Sequence, residues 1–219
     1  MSLISDYQII IFDCDGVILN SNAIKTEAFY ESILEYGEEN ATELVNYHKS
    51  KGGVSRYKKF DHFFQDILNI EGGYSKKKAK ALDNFSYILK ELILNCEVSE
   101  GLYDLYAHKA DQKWMVASGS DEKELNEVLL EKKVSHFFDL GIYGSPETKE
   151  NILKNKLKRE DLDSKILFIG DSEYDFLAAR SINADFIFLY EWTEFSDYIS
   201  WCEKMNIRYL KGLREVYES

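Results

Sequence analysis

Short apolar runs without helical spacing recur along this chain, and stretches of helical period separate them. The first is Tyr-Gln-Ile-Ile-Ile-Phe-Asp at 7–13, a run that suits a central strand buried on both faces. Similar runs follow at 113–117, 165–169 and 184–189, with helical stretches at 122–131, 147–157 and 173–181. Strands alternating with helices in this way predict an α/β fold, a Rossmann-like parallel sheet covered by helices on both sides. Residues 207–210 add a candidate last strand.

Between the first two strands the pattern changes. Amphipathic helical runs follow one another at 22–36, 39–49, 55–69 and 75–95, with Gly52-Gly53 and Gly72-Gly73 as punctuation. The expected division is a discontinuous α/β core of 1–19 and 97–219 with an inserted helical domain of 20–96.

Charge narrows the function classes. The net charge is −12, which argues against a general nucleic-acid or anionic-membrane surface. Within the insertion, however, residues 49–80 carry Lys49, Lys51, Arg56, Lys58, Lys59, Lys76, Lys77, Lys78 and Lys80 against Asp61, Asp66 and Glu71. Two readings stand for this basic stretch, solvated helix faces or, at Arg56, attraction of an anionic substrate toward the core. Cys14, Cys96 and Cys202 are an odd number, and reduced thiols in a cytoplasmic protein are the expected state. No run approaches the ~18 apolar residues of a membrane span.

Four polar groups fall just past predicted strand ends, where parallel-sheet enzymes place function. They are Asp13-Cys14-Asp15-Gly16, Ser118-Gly119-Ser120, Lys149, and Gly170-Asp171-Ser172-Glu173-Tyr174-Asp175. Singly, each has a plain structural reading as a loop, a helix cap or a surface charge. Together, in this order, they resemble the haloacid dehalogenase-like superfamily of phosphohydrolases over essentially the whole chain. That resemblance implies a role for each residue. Asp13 would be the nucleophile and Asp15 the general acid and base. Ser118, Gly119 and Lys149 would bind the phosphoryl oxygens. Mg²⁺ would be held by Asp13, the Asp15 carbonyl and Asp171, with Asp175 behind them.

The sequence departs from that family in three places. Asn183 stands where the family commonly has glycine, Glu150 replaces a proline after Lys149, and Cys14 replaces a larger apolar residue. Lys154 and Lys156 are therefore rivals of Lys149, and Cys14 reads as a packing residue. Asp15 separates the chain from the dehalogenases, which lack that acid. The inserted helices resemble the caps of phosphoglycolate phosphatases and β-phosphoglucomutases, and the segment around Arg56 resembles their specificity loop. The expected activity is hydrolysis of a small phosphorylated metabolite through an aspartyl-phosphate, with a phosphosugar mutase as the alternative. A metal-dependent glycosyltransferase would leave Asp171 and Lys149 unexplained, and a silent binding module would be expected to have lost a motif.

Overall fold

The computed structural model describes residues 4–218. Its centre is a parallel sheet of six strands in the order β3-β2-β1-β4-β5-β6: β1 Ile9–Phe12, β2 Lys113–Asp121, β3 Ile142–Ser145, β4 Ile166–Gly170, β5 Asp185–Leu189 and β6 Arg208–Leu210. Strand β1 is buried throughout because its residues serve two cores in alternation. Ile10 and Phe12 join one apolar cluster, Phe12 packing on Trp114 at 5.0 Å between ring centroids. Ile9 and Ile11 join the other, with Met115, Ile152 and Phe168. The thiol-bearing Cys14 is buried in the first cluster, and all three cysteines are free and buried.

Seven helices follow the second strand or flank it: α5 Glu100–Ala107, α6 Glu122–Glu131, α7 Lys149–Lys156, α8 Arg159–Leu162, α9 Glu173–Arg180, α10 Tyr198–Met205 and α11 Leu213–Glu218. Between β1 and β2 the described residues form helices only: α1 Asn22–Ser32, α2 Glu38–Ser50, α3 Arg56–His62, continued by a π turn over Phe63–Ile67, and α4 Ser75–Ile93. The chain enters and leaves this helical insertion side by side. Asn20 N–H donates to the Glu97 carbonyl at 2.9 Å, Ser99 N–H donates to Ile18 at 2.9 Å, and Leu19 bridges to Val98.

Strand β3 and helices α5, α8, α10 and α11 were not expected from the pattern. Strand β3 has four residues, lies at a sheet edge and is only half-buried at its start, so it lacks an apolar run. The candidate strand at 207–210 is present as β6. The tyrosines and tryptophan near residues 190–201 pack internally. Tyr198 stacks on Phe188 and Tyr190, at 5.6 and 5.3 Å, and Trp201 meets Phe176 edge-on.

Register aligns the strand ends. Phe12 pairs with Val116 on one side and Ile169 on the other. Asp13, Ala117 and Gly170 thus share one layer, and Ser118 and Asp171 stand one step beyond.

Helix α9 hands over to β5 through Asn183, whose φ of 57° lies in the left-handed region. Asn tolerates that conformation better than Ala, for which it costs roughly 1–2 kcal/mol. Urea denaturation is expected to find Asn183→Ala less stable by about 1 kcal/mol and Asn183→Gly at least as stable as wild type.

Candidate active site

The deepest polar feature is a buried row of charge at the tip of the sheet. Lys149, 1% exposed at the start of α7, lies 2.9 Å from Asp13 Oδ1 and 2.5 Å from Asp175 Oδ1. Burial alone would lower the lysine, but the charges of Asp13 and Asp175 raise it well above the usual ammonium range, so it stays charged. Its rivals Lys154 and Lys156 are exposed. The other Asp175 oxygen accepts from Ser172 Oγ at 2.6 Å and Ser172 N–H at 3.1 Å, which closes a capping box on α9. Asp175 therefore has both oxygens engaged by the protein.

Asp13 Oδ1 also accepts the Cys14 N–H at 2.7 Å, and Asp171 Oδ2 accepts Asn22 Nδ2 at 2.7 Å. Carboxylate oxygens of Asp13, Asp171 and Asp175 lie within 4.8 Å of one another. Burial first, and then the neighbouring Asp175 charge, push the Asp13 carboxyl up to about 7. Burial and the charges of Asp13 and Asp175 push Asp171 well above the usual range as well. One lysine does not neutralise three such carboxylates. The arrangement fits a hard divalent cation bound by oxygen, chiefly through Asp13 and Asp171, since Asp175 is already engaged.

Gly16, with φ of 78°, turns the chain away here, and a Cβ on it would fall 2.2 Å from Asp171 Oδ2. Asp15, two residues past Asp13, is held by groups from both sides of the cleft. Ser21 Oγ donates to its Oδ1 at 2.5 Å, Ser120 Oγ donates to its Oδ2 at 2.6 Å, and Lys25 of α1 pairs with the same Oδ2. Burial would raise this carboxyl, but the Lys25 ammonium and these hydrogen bonds hold it well below the usual carboxylate range. Ser118 is fully buried, 3.5 Å from Asp15 Oδ2, and its Oγ accepts the Ser120 N–H at 3.1 Å.

The inserted helices roof this site. A Cβ on Gly119 would lie 2.0 Å from the Gly53 carbonyl, so the loop after α2 rests directly on the backbone of the last residues of β2. The cavity beneath it has a volume of about 290 Å³; Asp13, Asp15, Gly119 and Asp171 line it from the sheet, and Lys25, His48 and Lys59 from the insertion.

Arg56 also reaches the cavity wall, but its guanidinium is committed elsewhere. It donates to Glu124 of α6 at 3.1 and 2.5 Å and to Ser86 of α4 at 2.9 Å, and it lies over Phe85. In this structure Arg56, expected to draw an anionic substrate toward the core, ties the insertion to the core instead. Tyr57 adds to this tie by donating to Asp121 at 2.7 Å. Lys25, His48 and Lys59 were missed in the sequence, where each looks like one more polar residue on an amphipathic helix.

Comparison with known families gives this geometry its place. Residues 10–189 match the model of the haloacid dehalogenase-like hydrolases. The chain belongs to that family. Among solved structures, this hydrolase is similar to a predicted phosphatase from Clostridium acetobutylicum, with 19% identity, a TM-score of 0.73 and 98% of each chain covered. It is also similar to CbbY from Rhodobacter sphaeroides in complex with phosphate, at 18% identity, TM-score 0.68 and 96% of each chain. A putative phosphoglycolate phosphatase from Lactobacillus plantarum aligns at 17% identity and TM-score 0.66, over 97% of this chain and 98% of that one. A search of curated protein sequences returns no match.

The raised carboxyls have a measurable cost. In the metal-free protein Asp13 binds its proton up to about pH 7, whereas an unfolded Asp releases it near ~3.9. Between these values the folded state binds more protons, so Asp13's contribution to stability is present below the lower value and is lost as pH rises through the upper one. In the presence of a chelator, Asp13→Asn is expected to be more stable than wild type at pH 7.5 and to lose that advantage at pH 5, as read by urea denaturation.

Proposed function

We propose that this hydrolase cleaves a small phosphomonoester through an aspartyl-phosphate formed on Asp13. The observation that carries the reading is the convergence of Asp13, Lys149, Asp171 and Asp15 in one roofed cavity. The carboxylates of Asp13, Asp171 and Asp175 outnumber the one lysine among them; a phosphate brought in with a divalent cation supplies the positive charge they need and offers Lys149 an anion. The core is taken as 1–19 and 97–219 and the cap as 20–96, a boundary supported by the paired crossings at Asn20–Glu97 and Leu19–Val98. Residues 1–3 and 219 lie outside the described residues. No helix among the described residues is long and apolar enough to cross a membrane, and the three free thiols support a cytoplasmic setting.

In this reading Asp13 Oδ2, the oxygen that Lys149 and Cys14 leave open, attacks phosphorus as the bond to the alcohol oxygen breaks. Asp15 gives a proton to the departing alcohol, one it must first take up against the Lys25 ammonium that keeps it ionised in this structure. Water then attacks the phosphoaspartate, Asp15 takes back a proton, and inorganic phosphate leaves with Asp13 restored. Lys149, Ser118 and the Gly119 N–H hold the phosphoryl oxygens. Mg²⁺, held by Asp13, Asp171 and the Asp15 carbonyl, supplies positive charge that offsets the repulsion between the nucleophile and the phosphate. Asp175 orients Lys149 and braces the loop that carries Asp171. A phosphosugar mutase using the same chemistry is the second reading. It is favoured by the contact of Gly53 on Gly119, which brings the insertion down onto the sheet tip.

Assays with para-nitrophenyl phosphate and Mg²⁺ test the first reading. Asp13→Asn is expected to reduce turnover to background while remaining folded; substantial metal-dependent hydrolysis by the pure variant would remove Asp13 as nucleophile. Release of inorganic phosphate from a sugar phosphate, rather than its isomerisation, separates phosphatase from mutase.

Asp15→Asn should behave differently. It is expected to lose about 10²–10⁴-fold on an alkyl phosphate and much less on para-nitrophenyl phosphate, whose leaving group needs little protonation. Equal losses on both, with chemistry rate-limiting, would withdraw the acid role.

A further inference from the structure

Lys59 of α3 is 2% exposed, lines the cavity, and has no carboxylate within ion-pair distance among the described residues. The other cations near it are spoken for: Lys25 by Asp15, Arg56 by Glu124, Lys149 by Asp13 and Asp175, and Lys49 by Glu194 at 3.4 Å. The Lys59 ammonium donates to one acceptor, His48 Nδ1 at 2.6 Å, and sits 5.4 Å from the centre of the Phe29 ring. Burial, with the Lys25 charge behind it, pulls this lysine down to about 7. That is the mark of a cation lacking its counter-charge.

His48 completes the picture. Burial and the Lys59 charge hold it well below its usual range, so the ring is neutral. An ammonium can only donate, so Nδ1 is the acceptor and the ring proton resides on Nε2. Nε2 is buried and has no hydrogen-bond partner. The nearest acid, Glu194, is 3.8 Å away and already accepts from Thr26 at 2.6 Å. Beyond the bond between them, two neighbouring side chains in the cavity wall therefore still offer donors, and one carries a charge, with no further protein acceptor within hydrogen-bond distance among the described residues. Buried donors left in this way are costly, and the group that would satisfy both is an oxyanion.

We propose that Lys59 and His48 form a distal subsite for a second anionic group, so that the substrates are small two-headed anions: a phosphate ester bearing a carboxylate or a second phosphate. The proposal rests on the phosphatase reading and adds the chemistry of the far end.

The test uses matched esters with Mg²⁺. 3-Phosphooxypropanoate and propane-1,3-diyl bisphosphate each carry the second anion, 3-hydroxypropyl phosphate replaces it by a hydroxyl, and para-nitrophenyl phosphate reports the phosphoryl chemistry alone. Wild type is expected to favour at least one anionic ester over the hydroxyl ester by about 10-fold or more in kcat/KM, and the preferred one tells carboxylate from phosphate. Lys59→Met should erase that preference while changing the other two substrates less than about 3-fold. His48→Phe, which keeps the ring against Phe29, should reduce the preference in part and stands in if Lys59→Met does not fold. No preference in wild type, or equal losses on all substrates, would overturn the subsite. If no ester were hydrolysed at all, the phosphatase reading would fall by itself. Calorimetric affinities of the same esters for wild type and Lys59→Met would then decide the subsite, sustained by a selective loss for the anionic ester and overturned by equal affinities.

Discussion

A single buried ammonium organises the sheet tip. Lys149 stands between Asp13 and Asp175, and without it a carboxylate just past β1 and one in the first turn of α9 would face each other out of water. Removing the lysine would leave their charge buried and uncompensated, typically a cost of about 3–5 kcal/mol. The cluster also joins local structure to chemistry, because Asp175 caps helix α9 with its other oxygen. One residue thus fixes the lysine, the helix start and the loop bearing Asp171. Lesions at Asp175 will register as lost folding before they register as lost turnover.

The roof depends on an absence of side chains. Gly53 and Gly119 meet backbone to backbone, and Gly52 lies 3.2 Å, measured from an added Cβ, from Ser172. The contact is fastened beside it by Arg56 and Tyr57 on Glu124 and Asp121. These ties enclose the cavity and bring basic residues of an otherwise strongly acidic chain over the carboxylates. The family assignment accounts for the sheet and its helices.

Much of this was legible before any coordinates. Central strands show as apolar runs because both faces are buried, and Asp171 and Asp175 announce themselves by a one-turn spacing at a strand end. Strand β3 was invisible because an edge strand needs no apolar run. Lys25, Lys59 and His48 were hidden for a different reason. A lysine on an amphipathic helix is ordinarily solvated, and only the folding of the insertion back over the sheet turns these side chains inward. Arg56 shows the converse: its place in a glycine-led loop pointed to substrate, while its actual partner, Glu124, lies on a helix far along the chain. Long-range pairing of charges leaves no periodic trace in a sequence.

Lys25 sits on the first helix beyond the paired crossings at Asn20–Glu97, and its ammonium keeps Asp15 ionised. Those crossings lie side by side, so the helical insertion leaves and rejoins the core at one place. The same insertion that roofs the cavity thus also sets the charge of the carboxylate beneath it.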